Sequence, residues 1–580
     1  MRQFGRSRLI LVALICPLLA GGLKVKKIKG NANPPQYASF SKLLTKPEQI
    51  QHAANRLTLG ARPEDWALIR RLGLKKWIDQ QLHPEEIAEN PELTRQLSQL
   101  ATLSLSAHDT FMQYPRPRLI AANSREGSGA MTLAALLSPQ QIEWLESGSA
   151  EQKKQVLAAI PPDKGFDFAW ALQRAERQKL FNLAPVDLRR KLMFTVNPGS
   201  VVISDLSEGK LLRGIYSNRQ LAEALDDFWF NHFNVFVNKG ADRYLLPTYE
   251  RETIRPHIFG TFYDLLLATA ESPAMLFYLD NASSVAPGTG KAANGKARRG
   301  LNENYGRELL ELHTMGVDGG YTQKDVIEVA RCFTGWTITG PAKGGVFEYR
   351  DRVHDKGQKT VLGHVIPAGG GMSDGLQVLQ ILAHSPSTAH FISLKLAERF
   401  VADDPPPSVV NRMAQDYLKS GGDLRKLMQT MLVSPEFWSQ GALGAKVKTP
   451  FEMVVSAARA TNAQVTSAYA LENVLQKLGE PLYRKIEPTG YSNANAEWVS
   501  SSALLERMNF SLALAANKIP GVRVDESAWQ ARTAGDPMEL ARTILPEEPG
   551  SHTQEVIRKA PQTPSLVVGL ALGSPEFQRK

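Results

Sequence analysis

Glu308 and Glu311 stand three positions apart in a stretch, 300–316, that begins and ends on glycine. At about 100° per residue, a helix through it puts Asn304, Glu308 and Glu311 in one arc. Leu301, Tyr305, Leu309 and Leu312 form the apolar face beside them. Two carboxylates at the edge of a buried stripe suit a divalent cation, or an acid–base pair whose pKa values are driven apart. They equally suit ion pairs, and Arg298, Arg299, Arg307 and Arg331 are at hand. His313, in the last turn, is either a ligand or a partner of the helix's negative end. Seven of the eleven histidines fall between 232 and 390, with His354-Asp355 and His364 on predicted loops. On a further helix Asp227, Asn231 and Asn234 share a polar face, while His232 sits beside Leu225, Phe228 and Trp229 and reads as a core histidine.

These residues define one candidate site. Its catalytic candidates are Glu308, Glu311, His354 and Asp355, and its ligand-binding candidates are Asp227, Asn231, Asn304 and Arg307. Glu308, Glu311, His313 and His364 are the metal candidates; carboxylate with imidazole suits manganese, iron or zinc. The commoner signatures are missing: no His-Glu-x-x-His, no Gly-x-Ser-x-Gly, no Walker loop and no dinucleotide fingerprint.

The elements that must carry these groups are helices joined by short turns. Thr45-Lys46-Pro47-Glu48 reads as a cap followed by proline in the first turn. Periodicity predicts helices over 218–236, 249–259, 260–270, 273–280, 301–315, 322–334, 387–400, 409–419, 422–432, 449–462 and 498–517. Strand character is confined to 336–339, 346–350 and 359–366, enough for a hairpin or a three-strand patch. The fold class expected is therefore mainly α, one large helical domain over 45–578 with a small β insertion around 336–366. The region 98–210 has weaker periodicity and reads as an elaboration, and 283–300 as a small-residue basic loop.

Composition narrows the class. At 580 residues with 43% hydrophobic and 22% charged side chains, most of the chain should fold. Two cysteines, Cys16 and Cys332, exclude a disulfide scaffold, a four-cysteine cluster and a cysteine zinc site. The net charge of +10 comes without a basic cluster interleaved with aromatics, so no nucleic-acid partner is expected. Arg2, Arg6 and Arg8 precede an uncharged run over 9–20, and Ala20, Gly21 and Gly22 follow, the layout of a signal peptide over 1–22 with a linker over 23–44. The apolar run is short for a bilayer span. The expectation is an exported protein, periplasmic or extracellular, with no stable span after cleavage; the alternative is an uncleaved anchor. Cys332 would then be a lone, buried, apolar-like side chain.

Phe228-Trp229-Phe230-Asn231-His232-Phe233, Ser272-Pro273-Ala274-Met275-Leu276, the run 300–326, Phe333-Thr334-Gly335-Trp336, His354-Asp355-Lys356-Gly357 and Gly421-Gly422-Asp423-Leu424-Arg425 together resemble a bacterial family, domain of unknown function 1800. The resemblance spans about 45–578, with 98–210 the least typical stretch. Gly306 stands where alanine is usual, which admits a close backbone contact. The resemblance implies an exported protein, often encoded beside an exported sulfatase-like family, and carries no activity over. Three readings follow. The first is an exported protein acting with a partner at the cell envelope, the sulfatase-like protein being the partner implied. The second is a metal-assisted hydrolase at Glu308, Glu311 and His313 with His354, Asp355 or His364. The third is a polymer-binding protein using exposed tryptophans.

Overall fold

The computed structural model describes residues 35–115, 132–289, 300–533 and 535–580. The signal-peptide reading over 1–22, most of the linker, and Arg298 and Arg299 lie outside the described residues. The fold is mainly α-helical, with three two-stranded antiparallel sheets among the described residues.

Helix starts follow the local chemistry. Pro63, Pro139, Pro198, Pro273, Pro386, Pro407, Pro450, Pro537, Pro564 and Pro575 each open a helix, where the missing N–H costs nothing. Thr449 adds a capping box with Glu452 at the start of Pro450–Ala460.

At the centre is Pro198–Tyr216, in which every residue but Ser200 and Arg213 is buried. It packs on Gln220–His232, Pro450–Ala460 and Tyr469–Leu478. The periodicity reading does not find this helix, because a helix buried all round has no polar stripe to set the phase. Its interior charges must then be paired, and they are. Glu208 bonds Arg189 at 2.6 Å, Asp205 bonds Arg190, and Lys210 bonds Asp227 at 3.0 Å. One apolar core runs from Tyr37 to Phe577 and includes Leu93, Leu100 and Ile203. A second, smaller core gathers Leu137, Leu145, Leu157, Phe168, Leu188 and Leu192.

The strands fall where expected, in finer pieces. β1 (Trp336–Ile338) pairs with β2 (Phe347–Tyr349), and β3 (Lys359–Val361) with β4 (His364–Ile366). The segment 359–366 folds back on itself at Leu362-Gly363, both at positive φ (50° and 80°). Leucine is an unusual residue for that turn, so composition gave no hairpin signal. β5 (Gln464–Val465) and β6 (Val522–Arg523) are too short to leave a pattern. Cys332 is buried and free, and burial pushes its thiol up to about 12.

Candidate functional site

The stretch expected as one helix over 301–315 changes form. Asn304–Glu308 is α-helical and Leu309–Thr314 is a π-helix. The Met315 N–H reaches the Leu310 carbonyl at 2.9 Å and the Thr314 hydroxyl the Leu309 carbonyl at 2.7 Å, both five residues back. The wider turn breaks the 100° arc after Glu308. Such turns are often found at functional sites, but this one turns His313 into the core. Its ring is buried, and burial drives its pKa down to about 3. His232 is held down to about 3 in the same way, and its Nε2–H donates to the His313 carbonyl at 3.0 Å. Gly306 makes a close backbone approach: a Cβ there would lie 3.1 Å from Ala330 N and from Val326 O.

The two glutamates remain at the edge of the core. Glu311 accepts the hydroxyl of Tyr321. Glu308 is half-buried, and its pKa is raised by burial and then by the charge of Glu311. Arg307 bonds Gln323 at 2.9 Å and faces Glu303 at 3.5 Å. Asn304 is exposed, its amide 3.4 Å from the Leu279 carbonyl.

His354 and Asp355 are built into a different network. His354 Nδ1–H donates to the Thr334 carbonyl at 2.7 Å, and Nε2 faces Asp374 Oδ2 at 3.1 Å. Lys359 Nζ bonds that same oxygen at 2.6 Å, and all three side chains are inaccessible. Asp355 takes both arms of Arg331, at 2.8 and 3.1 Å. Against the opposing effect of burial, those bonds hold its carboxyl below the ordinary range. His364 sits exposed on β4, opposite Val361. Among the described residues no three His, Cys, Asp or Glu side chains are grouped to hold one metal ion. Glu308, Glu311, His313 and His364 are thus not gathered around one point, because the π turn buries His313 and the hairpin displays His364 to solvent.

Asp227 and Asn231 belong to a third arrangement, and here there is a cleft. Asp227 bonds Lys210 at 3.0 Å and Arg399 at 3.1 Å. Arg399 also bonds Glu452 at 2.7 Å, and Lys580 bonds the same Glu452 oxygen. Burial opposes ionisation of Glu452, but Arg399 and Lys580 prevail and hold it down to about 2. Asn231 clasps Tyr491, donating to its carbonyl at 2.7 Å and accepting its N–H at 2.6 Å. The preceding Gly490 has φ of 69°, and a Cβ there would strike the Asn231 carbonyl at 2.2 Å. Asn234 secures the same segment through the Lys485 and Glu487 carbonyls, at 3.1 and 2.9 Å. Asn231 on Gln220–His232 and Asn234 just past its end, rather than on the one helix face expected, therefore fasten the loop that forms one wall of a cleft of about 760 Å³.

That cleft is lined by Lys395, Glu398, Lys446, Lys477, Tyr491 and Trp498, among others. Glu398 is partly buried, and burial raises its pKa against the nearby Lys395 and Lys446. Lys446 is tied to Asp403 and to the Asn493 carbonyl, the latter at 2.6 Å. Beneath lies a cavity of about 30 Å³ bounded by Lys210, Asp227, Arg399 and Glu480, which shares Tyr491, Ser492 and Asn493 with the cleft. Burial, then Asp227, raises Glu480 to about 8. Lys395, Glu398 and Tyr491 escaped the sequence reading, since nothing local marks residues that meet only across the fold.

The family's sequence profile, described as "Protein of unknown function (DUF1800)", matches residues 52–579. The chain belongs to the DUF1800 family. No curated protein and no solved structure matches it. No helix of the described residues is long and apolar enough to cross a membrane.

Proposed function

We propose that this DUF1800 protein is an exported binding protein of the cell envelope that takes a short polar stretch of an extracellular polymer into the cleft at Lys395, Glu398 and Tyr491. The observation that carries this reading is the cleft itself: about 760 Å³, bordered by side chains of both charge signs and by two aromatic residues, over a rigid ion network. Fixed polar groups with an aromatic wall suit hydroxyl-rich, mixed-charge ligands. Lys395 and Glu398 are one turn apart on Pro386–Phe400 and act as a donor–acceptor pair. Trp498 supports the wall from within, its indole N–H on the Ser492 carbonyl at 3.1 Å. Exposed tryptophans give little to the polymer reading; Trp170, on the helix Gly165–Ala171 and away from the cleft lining, is 40% exposed. The hydrolase reading draws less support, because His354 and Asp355 are engaged in closed networks and His313 is buried. Export rests on the order of residues 1–22, and the sulfatase-like partner on the family resemblance alone.

Calorimetry with soluble peptidoglycan fragments and acidic oligosaccharides tests the binding. Lys395→Ala with Glu398→Gln should weaken the ligand that binds by about tenfold or more, with melting temperature held within a few degrees. Unchanged affinity in that double variant would remove the cleft from the function. Cell fractionation tests export: a cytoplasmic chain with residues 1–22 intact would refute it.

A further inference from the structure

A second opening has the opposite character. A groove of about 710 Å³ runs between Ile50, Pro63, Trp66, Trp529, Ile544 and Leu545. It shares Pro63, Trp66, Ala460 and Ile544 with a side pocket of about 20 Å³. That is room for a headgroup on the order of one or two waters in size. Lys448 lines the side pocket. Lys448 is 3% exposed, and its Nζ stands 3.8 Å from the centroid of the Phe577 ring.

Among the described residues Lys448 Nζ has no carboxylate or carbonyl within bonding distance. Its backbone is fixed, with N–H on the Gln578 carbonyl at 2.9 Å and its own carbonyl taking Arg507 Nη2 at 2.8 Å. The charged groups around it do not satisfy it. Glu452 is taken by Arg399 and Lys580, and Arg507 is a like charge engaged with Gln578. Burial, eased by Glu452 and reinforced by Arg507, brings the ammonium down to about 7. A buried cation without a counter-charge is expensive, and an incoming anion removes that cost. The side pocket adjoins the groove, which is lined mainly by apolar side chains with Lys46, Arg70 and Arg542 also on its lining, so an anion drawn to Lys448 along it is best carried on an apolar body.

We propose that the groove binds an amphipathic carboxylate, its aliphatic or aromatic body held by Trp66, Ile50 and Ile544 and its headgroup drawn against Lys448. The site is separate from the polar cleft and does not depend on the function proposed for it.

Calorimetry on the full chain at pH 7 with octanoate, 1-octanol and octylammonium decides. Octanoate should bind at least about tenfold more tightly than octanol, and octylammonium most weakly, because only the acid completes a charge-assisted pair. Binding should also take up protons, read as a dependence of the heat on the buffer's ionisation enthalpy, since the carboxylate recharges Lys448. Lys448→Met should lower octanoate to the affinity of octanol. No binding of octanoate, equal affinity for acid and alcohol, absence of proton uptake, or a preference that survives in Lys448→Met would each overturn the proposal. Should Lys448→Met fail to fold, the ligand series and proton uptake on the unaltered chain decide alone.

Discussion

The segment 323–374 and the cleft region around 395–506 are both rich in ionisable side chains, and they use them differently. In the first, Arg331 meets Asp355, His354 meets Asp374 and Lys359 meets Asp374 across 24, 20 and 15 positions. The partners are near in sequence, and the network closes on itself with its centre inaccessible. In the second, Asp227 meets Arg399 across 172 positions, Glu452 meets Lys580 across 128, and Asn231 meets Tyr491 across 260. There the charges brace an opening. Density of reactive residue types in the sequence therefore points to the closed network, whereas the accessible site is made by residues scattered along the chain. A cluster of histidines and acids is as much a way of burying charge as of displaying it.

The comparison can be broken most directly at Glu452. Glu452→Ala leaves Arg399 and Lys580 buried without their shared acid and should cost about 3–5 kcal/mol, measured by denaturant unfolding. A loss under about 1 kcal/mol would show that the ion network does not brace the cleft. Asp374→Ala should come next, at about 3 kcal/mol, because Lys359 and His354 lose a common acceptor. It should leave ligand binding in the cleft unchanged; if binding falls with it, the two regions are coupled.

pH should separate the regions further. His232 and His313, held near 3 against 6.5 when unfolded, stay uncharged in the fold while the unfolded chain takes up protons. Their contribution is intact above about 6.5 and is lost as pH falls toward 3, by up to ~1.4 kcal/mol per unit for each histidine. Glu452, lowered from 4.5 to about 2, adds to the loss below 4.5. Glu480 runs the other way: raised to about 8, it retains its proton in the fold, and its contribution is lost as pH rises from 4.5 to 8. Unfolding free energy should thus rise from pH 3 to about 6.5, with Glu480 opposing the rise from 4.5 upward. Glu480→Gln should steepen the rise of stability with pH between about 4.5 and 8, and an unchanged slope in that variant would mean that Glu480 does not retain its proton in the fold.

The smallest effect is expected at Glu308. Its carboxyl is half-buried and raised by burial and Glu311. Among the described residues it has no hydrogen-bond partner. Glu308→Gln should change stability by less than about 1 kcal/mol, solvent screening included. A large loss, or loss of a bound metal on elemental analysis, would restore the glutamate pair as a site.

Most helices were legible, since Ser-Pro and Thr-Pro starts and glycine stops act over a few residues. Predicted 387–400 and 422–432 are observed as Pro386–Phe400 and Leu424–Leu432. The burial of His232 was legible from its apolar neighbours, and that of Cys332 from its having no second thiol to pair with. The pairing of His354 with Asp374 was not, although both residues sit within one motif-rich stretch, because Asp374 opens a helix beyond a glycine-rich turn and looks like ordinary N-terminal decoration. The π turn at 309–314 left no trace, since α and π helices draw on the same residue types.

The sequence by itself determined a mainly helical chain, where many of its helices begin and end, the short strands at 336–366, and membership of a family through motifs that are local. Those follow from backbone preferences and apolar spacing, which act within a turn or two of chain. Only the tertiary structure decided which charges face one another. It set Lys210 and Arg399 against Asp227, fastened the 485–491 loop to Asn231 and Asn234, opened the cleft at Lys395 and Glu398, and left Lys448 unpaired at the end of an apolar groove. Desolvation and Coulomb energy depend on distance through space and on what else is buried nearby, and neither quantity exists until the chain has folded.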